Sequence, residues 1–278
     1  MADTPDWMRP NPDSVARSAV DLRTNQAHSA RVYDFILGGK DNFPADRAAA
    51  ESLLAEWPSL RTSMRENRKF MRRATRYLVE EAGVRQFLDV GTGIPTSPNL
   101  HEVAQAIAPE SRVVYVDNDP IVLAHARALL TSTPGGATAY LDADLRDPET
   151  ILNSAEFKET LDVTEPVALS LIAVLQLMPD DVAYDLVARL LDPLPSGSYL
   201  AITVVTNDTD PSSARVDAQF NARGIFTVAR TQAQAAKFFD GLELVEPGLS
   251  LVQYWHPEVE APVGENETGL YAGVARKP

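Results

Sequence analysis

The stretch Phe87-Leu88-Asp89-Val90-Gly91-Thr92-Gly93-Ile94-Pro95-Thr96 carries an apolar segment straight into a Gly-x-Gly turn. Glycines in such a turn take positive φ and let a ligand lie against bare backbone, at the carboxyl end of a strand where open α/β sheets bind their ligands. A Gly-x-Gly pair alone is a weak signal. Asp117 strengthens it by closing the next apolar run, Val113-Val114-Tyr115-Val116-Asp117, about 26 residues after Gly91. A carboxylate there accepts hydrogen bonds from the two hydroxyls of a ribose. Either aspartate alone would read as a strand-end turn residue, because Asp favours turns. Turn and acid together specify a nucleoside site.

The kind of nucleoside follows from what the turn lacks. A pyrophosphate binder carries G-x-G-x-x-G, whose third small residue lets the helix N-terminus close on phosphate. Counted from Gly91 that position is Thr96, and Pro95 stands inside the turn. Asp89 would repel pyrophosphate but suits an ammonium group. A nucleoside bearing an amino acid therefore fits better than a dinucleotide, and an NAD-dependent oxidoreductase is the weaker alternative. His28, His101, His125 and His256 are isolated from one another. Imidazole bases need a placed partner; His101, near the start of the helix after the turn, is the best of the four as a catalytic candidate. With no cysteine in the chain and no paired histidines, no metal site is expected.

The elements that must position these residues come in two textures. Residues 15–82 read as mostly helical: Ala27 to Gly39, ended by Gly38-Gly39; Asp46 to Leu54, running up to Trp57-Pro58; and a long helix with Arg61, Arg65, Arg68, Lys69, Arg72, Arg73 and Arg76 at three- and four-residue steps. That basic stripe reads first as a solvated face and more sharply as a wall facing an anion. After Gly83, strands alternate with helices: Arg85–Val90, Arg112–Asp117, Ala137–Leu141, Pro166–Ala173 and Ser198–Thr206 as strands, with helices over Asn99–Ile107, Pro120–Thr131, Pro148–Phe157 and Pro179–Leu191. Asp119-Pro120 and Asp147-Pro148 place an N-cap acceptor before a first-turn proline. A helix around Thr231–Phe239 and strands at Leu242–Val245 and Leu270–Ala275 complete the pattern. Such alternation calls for a parallel sheet covered on both faces.

Composition bounds the function. The 278 residues carry 25 Lys+Arg against 39 Asp+Glu, a net charge of −14, which gives no overall field for a polyphosphate backbone, so no nucleic-acid partner is expected. No window approaches a membrane helix, and Met1-Ala2-Asp3-Thr4-Pro5-Asp6-Trp7 lacks the build of a signal peptide. A cytoplasmic protein without membrane partners is expected.

These residues together resemble a class I S-adenosylmethionine-dependent methyltransferase. Asp89-Val90-Gly91-Thr92-Gly93 is similar to the first motif of that class, Asp117 to its ribose-binding acid, and Asp142-Ala143-Asp144-Leu145 to the segment that contacts adenine. More narrowly, Arg31 to Phe43 (RVYDFILGGKDNF), Val114 to Pro120 and Asp144 to Pro148 resemble the actinobacterial S-adenosyl methyltransferase family once classed as a domain of unknown function, from about residue 15 onward. Two departures stand out: Pro95 replaces the third glycine of the class motif, and Gln176 stands where a histidine is expected after the fourth strand.

The resemblance implies an α/β Rossmann-like fold: a seven-stranded, mostly parallel sheet with an antiparallel last strand. It divides the chain into an N-terminal helical cap, 1–82, and a cofactor-binding domain, 83–278. It implies S-adenosyl-L-methionine as cofactor. Asp117 and Asn118 would hold the ribose and adenine edge, and Asp144 would take the adenine amino group with Leu145 beside it. Ala173 and Val174 would line the methionine side, while Asp89 and Gly91, in the turn with Thr92 and Gly93, would take its ammonium. Lys40 and the basic helix, Arg72 above all, would meet the carboxylate; Tyr33 and Phe43 would form an aromatic lid. The implied reaction is methyl transfer to a small molecule, less readily a protein, by in-line displacement, and Gln176 leaves a non-catalytic cofactor sensor as an alternative.

Overall fold

A computed structural model of the chain describes residues 22–129, 132–209, 221, 226–258 and 263–278. The proline-containing start (residues 1–14), the expected onset of helix at residue 15 and the last two residues of the helix expected over Pro120–Thr131 lie outside them. Three helices come first: α1 (Ser29–Leu37), α2 (Pro44–Glu56) and α3 (Leu60–Glu80). Asp46, fully buried, fixes the first two, its carboxylate accepting from the backbone N–H of His28 and Phe43 and from Arg31 Nε. Gly38, at φ +89°, ends α1.

Strands and helices then alternate as the sequence predicts: β1 (Gln86–Val90), α4 (Leu100–Ile107), β2 (Arg112–Asp117), α5 (Pro120–Leu129), β3 (Ala137–Asp142), α6 (Pro148–Asn153), α7 (Ala155–Thr160), β4 (Val167–Ile172), α8 (Asp180–Leu191), β5 (Tyr199–Val205) and α9 (Gln232–Ala236). The single helix expected over Pro148–Phe157 is two, because Ser154 takes extended backbone at ψ 155° and its hydroxyl caps α7 through Phe157 N. Three strands close the chain: β6 (Glu243–Leu244), β7 (Ser250–Leu251) and β8 (Leu270–Arg276).

The sheet runs β3-β2-β1-β4-β5-β8-β6, with β7 pairing β8 off that path. β1 to β5 are parallel, and β8 enters antiparallel beside β5. The strand beyond the expected seven is β7, two residues long. Strand residues alternate between two cores: Phe87, Tyr115 and Ala168 face the layer built by α1 to α4, whereas Leu88, Val114 and Leu169 face α6 to α9. The N-terminal helices thus share one hydrophobic core with the sheet. Trp255, fully buried, packs edge-on against Phe70 and Tyr77 of α3, and burying a ring of that size is worth roughly 4 to 6 kcal/mol. Among the described residues no helix is long and apolar enough to cross a membrane.

Candidate cofactor site

The order β3-β2-β1-β4-β5 reverses direction between β1 and β4, and there the carboxyl ends of the strands open the crevice that α/β sheets use for ligands. The glycine turn leaves β1 at this point. Gly91 stands at φ +75° with its N–H donating to Val116 O at 2.8 Å, and Val174 packs directly against it. Gly93, at φ +68°, has no atom within 4 Å of where a Cβ would stand. One glycine is roofed by the β4 loop and the next faces open space.

Asp117 completes this cradle. Its Oδ2 accepts from Gly93 N at 2.8 Å and its Oδ1 from Asp119 N at 2.9 Å. Burial raises its pKa, and the two backbone donors oppose that rise. Thr92 turns inward, its hydroxyl donating to Asp89 O at 3.1 Å.

Asp89 lies in register with Tyr115 of β2 and Ser170 of β4, so all three share the face beneath α3 and α4. Burial pushes its carboxyl up to about 6, opposed by a hydrogen bond with Ser170 and the positive charge of Arg68, while Asp117 adds to the rise. Arg68 projects from α3 and donates through Nη2 to Thr96 O and Pro98 O, at 2.5 and 2.8 Å. It spans from the basic helix to the chain just after the glycine turn.

On the other side of Asp117, exposed Asn118 stands near Asp144 and adds to the lowering of its pKa, bringing two expected site residues together. Asp144 is held chiefly by Arg146, whose backbone N and Nε each reach Oδ1 at 2.9 Å and whose Nη2 reaches Oδ2 at 2.5 Å. That partner lowers its pKa and keeps it ionised. Leu145 is partly buried against the core of the α6 to α9 face. At the end of β4, Ala173 stands at φ +55°, its N–H donating to Thr203 Oγ1 at 2.8 Å. Gln176 Nε2 donates to Ala173 O at 2.6 Å, so this side chain braces the loop; its Oε1 is buried with no partner among the described residues. Fully buried Arg230 ties the same loop through Leu175 O and Met178 O.

The helical layer docks on the carboxyl end of β2. His28 Nδ1 lies 2.9 Å from Asp119 Oδ2, and His125 Nε2 of α5 lies 3.7 Å from Asp41 Oδ1. Tyr33 is fixed, its hydroxyl donating to Met64 O at 3.3 Å and accepting from Asn67 Nδ2 at 2.9 Å. Phe43 caps α2 with the Arg31 guanidinium 5.5 Å from its ring centroid. Both aromatics are packed within the helical layer. Lys40 is exposed.

Three of the expected features take particular places in the structure. His101 is 2% exposed, its Nδ1 2.9 Å from Tyr115 OH and its backbone N–H donating to that same hydroxyl at 2.8 Å. Burial lowers its pKa, which makes it a neutral core histidine rather than a base at the mouth. The basic stripe is a solvated face in part, with Arg65, Lys69 and Arg76 exposed, while three of its guanidiniums turn to backbone carbonyls: Arg61 to that of Ile36, Arg68 to those of Thr96 and Pro98, Arg73 to those of Val252 and Trp255. The arginine that meets the turn is Arg68; Arg72, partly buried one helical turn on, makes no hydrogen bond to it among the described residues. Helical spacing identifies the face but cannot select between residues four apart.

A surface hollow lined by Arg112, Phe157, Lys158, Leu161 and Asp162 lies at the opposite end of the strands, away from these groups. Among the described residues no three His, Cys, Asp or Glu gather to hold a metal ion.

Comparison with known proteins agrees with the geometry. The family model for S-adenosyl methyltransferases matches residues 15–278. A DUF574 family protein from Streptomyces avermitilis MA-4680 is 53% identical with a TM-score of 0.90, over 92% of this chain and all of its own. A candidate methyltransferase from Thermobifida fusca YX is 41% identical with a TM-score of 0.86, over 92% of this chain and 97% of its own. An O-methyltransferase family protein from Burkholderia thailandensis, 15% identical with a TM-score of 0.51 over 74% of this chain and 55% of its own, shares the fold. A search of curated proteins returns no match. With a glycine turn at the switch point of its sheet and an anchored Asp117 beside it, the chain belongs to the S-adenosyl methyltransferase family.

Proposed function

We propose that the crevice over Gly91 and Gly93 binds S-adenosyl-L-methionine and that the protein transfers its methyl group to a small-molecule acceptor. The single observation carrying this reading is the Asp117 carboxylate, oriented by Gly93 N and Asp119 N at 2.8 and 2.9 Å beside the open face of Gly93. Two acceptor oxygens fixed beside bare backbone suit a ribose diol. Asn118 and Asp144, which stand near each other, supply the adenine edge, with Leu145 beside them. Asp89 accepts the ammonium next to Gly91, while Ala173 and Val174 wall the methionine chain where β4 ends.

The cofactor supplies a sulfonium methyl that an acceptor nucleophile displaces in line. The protein's share is alignment and exclusion of water, which can account for roughly 7 to 11 kcal/mol of a barrier. This accords with His101 lying in the core and Gln176 bracing Ala173, since alignment needs no fixed base. The net charge of −14 favours a small acceptor over nucleic acid. Tyr33 and Phe43 form part of the helical wall over the site.

Titration calorimetry with S-adenosylmethionine, S-adenosylhomocysteine and NAD, on the protein and on Asp117→Ala, tests the reading. Binding of both adenosyl compounds, lost in the variant and absent for NAD, is expected. Binding of NAD alone would replace the reading with an oxidoreductase. Cofactor binding without turnover across an acceptor screen would favour a sensor.

A further inference from the structure

We propose, resting on the cofactor reading above, that His28 is a positioning residue for the ribose acid: it pins Asp119, Asp119 aims Asp117 at the ribose diol, and the N-terminal helical layer thereby sets how strongly the site selects for ribose hydroxyls. The contacts run through Asp119, which is 2% exposed. Its backbone N–H holds Asp117 Oδ1 at 2.9 Å, while its own Oδ1 accepts from Ile121 N at 2.9 Å in the first turn of α5. Its Oδ2 is buried, and His28 Nδ1 stands 2.9 Å from it. Arg31 Nε, at 4.0 Å, is beyond hydrogen-bond reach and donates to Asp46 Oδ1 instead. Among the described residues, His28 is the group that meets this oxygen.

A bare ring nitrogen and a carboxylate oxygen both present lone pairs, so the contact with Asp119 places a proton on His28 Nδ1. Ala30 N, 3.4 Å from the same nitrogen, is too distant to compete. Burial alone would raise the pKa of Asp119, but His28, Ile121 N and Arg31 outweigh it and hold the carboxyl below its ordinary value. The charge of His28 also opposes the rise that burial causes at Asp117. The imidazole has a firm base: His28 N donates to Asp46 Oδ1 at 2.9 Å, and Arg31, 2% exposed, closes Leu22 O and Gln26 O at 2.8 and 2.7 Å. Without His28 the Oδ2 of Asp119 faces no donor, and a buried carboxylate left unpaired is driven toward water. That movement turns the Asp119 N–H away from Asp117 Oδ1, and the ribose acid keeps only Gly93 N.

The test is calorimetry with S-adenosylhomocysteine and its 2′,3′-dideoxy analogue, which differ only in the ribose hydroxyls, on the parent protein, His28→Asn and His28→Asp. Asn and Asp both suit the N-cap of α1, but only Asn carries a donor where Nδ1 stands, whereas Asp sets a second carboxylate against Asp119. The parent is expected to prefer S-adenosylhomocysteine. His28→Asp should weaken that ligand roughly 10- to 100-fold, the range for losing a charge-assisted hydrogen bond, and leave the dideoxy analogue unchanged, so that the preference disappears. His28→Asn should keep it. Equal behaviour of the two variants would reduce His28 to a helix cap and overturn the proposal, as would equal weakening of both ligands in His28→Asp. If His28→Asp does not fold, His28→Ser, which caps α1 but stops short of Asp119, replaces it with the same expected loss. A parent that binds both ligands equally would separate Asp117 from the ribose and overturn the proposal. Failure of the parent to bind S-adenosylhomocysteine would instead sink the cofactor reading, and this proposal with it.

Discussion

Val174 roofs Gly91 so closely that a Cβ added to the glycine would stand 2.5 Å from Val174 Cγ2. The end of β4 thereby holds the glycine turn shut against the sheet. Gly91 is also at φ +75°, so a side chain there meets backbone strain as well as a clash. Gly91→Ala is expected to cost about 2 to 4 kcal/mol from the two effects together. Val174→Ala in the same chain should recover the clash but not the strain, leaving roughly 1 to 2 kcal/mol. Denaturant titration of the four-member cycle checks this, and strict additivity would mean that the two residues do not couple.

The carboxyl of Asp89 sits at about 6 in the folded chain against an ordinary 3.8. Because the folded value is the higher, folding favours the protonated form. The penalty for burying the charge is absent below 3.8 and complete above about 6. The ligand-free parent should therefore lose up to about 3 kcal/mol relative to Asp89→Asn as pH rises through that window. Unfolding free energies of both proteins across the window decide it, and a pH-independent difference would contradict it. A cofactor ammonium favours ionised Asp89, so S-adenosylhomocysteine affinity should fall as pH drops through the same range.

Arg73 is 6% exposed and closes two carbonyls of the loop that carries Trp255, at 2.7 and 2.8 Å. Arg73→Met leaves both without their charged donor and is expected to cost about 2 to 4 kcal/mol. Arg76, whose partner Glu258 is 3.8 Å away on the surface, should tolerate Met within about 0.5 kcal/mol. Parallel melts of the two variants separate them, and equal losses would mean that burial does not set the cost.

His101 and Tyr115 form a closed pair. Tyr115 OH accepts from His101 N and lies 2.9 Å from its Nδ1. His101→Leu should lower stability by about 1 to 3 kcal/mol, because the buried tyrosine hydroxyl loses its side-chain partner, and leave S-adenosylhomocysteine affinity unchanged. Unaltered stability with lost affinity would instead bring the histidine into the site.

Local rules were enough to read much of this molecule. The strand-helix alternation, the caps at Asp119 and Asp147, the glycine turn and the acid closing β2 each depend on a few consecutive residues, and each stands where the sequence places it. The break at Ser154 had a local signal too, a serine able to cap and an acidic residue two positions on at Glu156, but the apolar periodicity ran across it.

What the sequence by itself determined was therefore the sheet and the glycine turn at its switch point, with Asp117 beside it. Tertiary structure decided which arginine of α3 reaches that turn, that His101 turns inward to Tyr115, that Arg146 holds Asp144, and that a two-residue β7 joins β8. A helical repeat fixes the face on which a side chain lies, but its partner across about 30 residues of chain depends on how the helix seats on the sheet. That seating is set by the packing of a whole core, and no short run of residues encodes it.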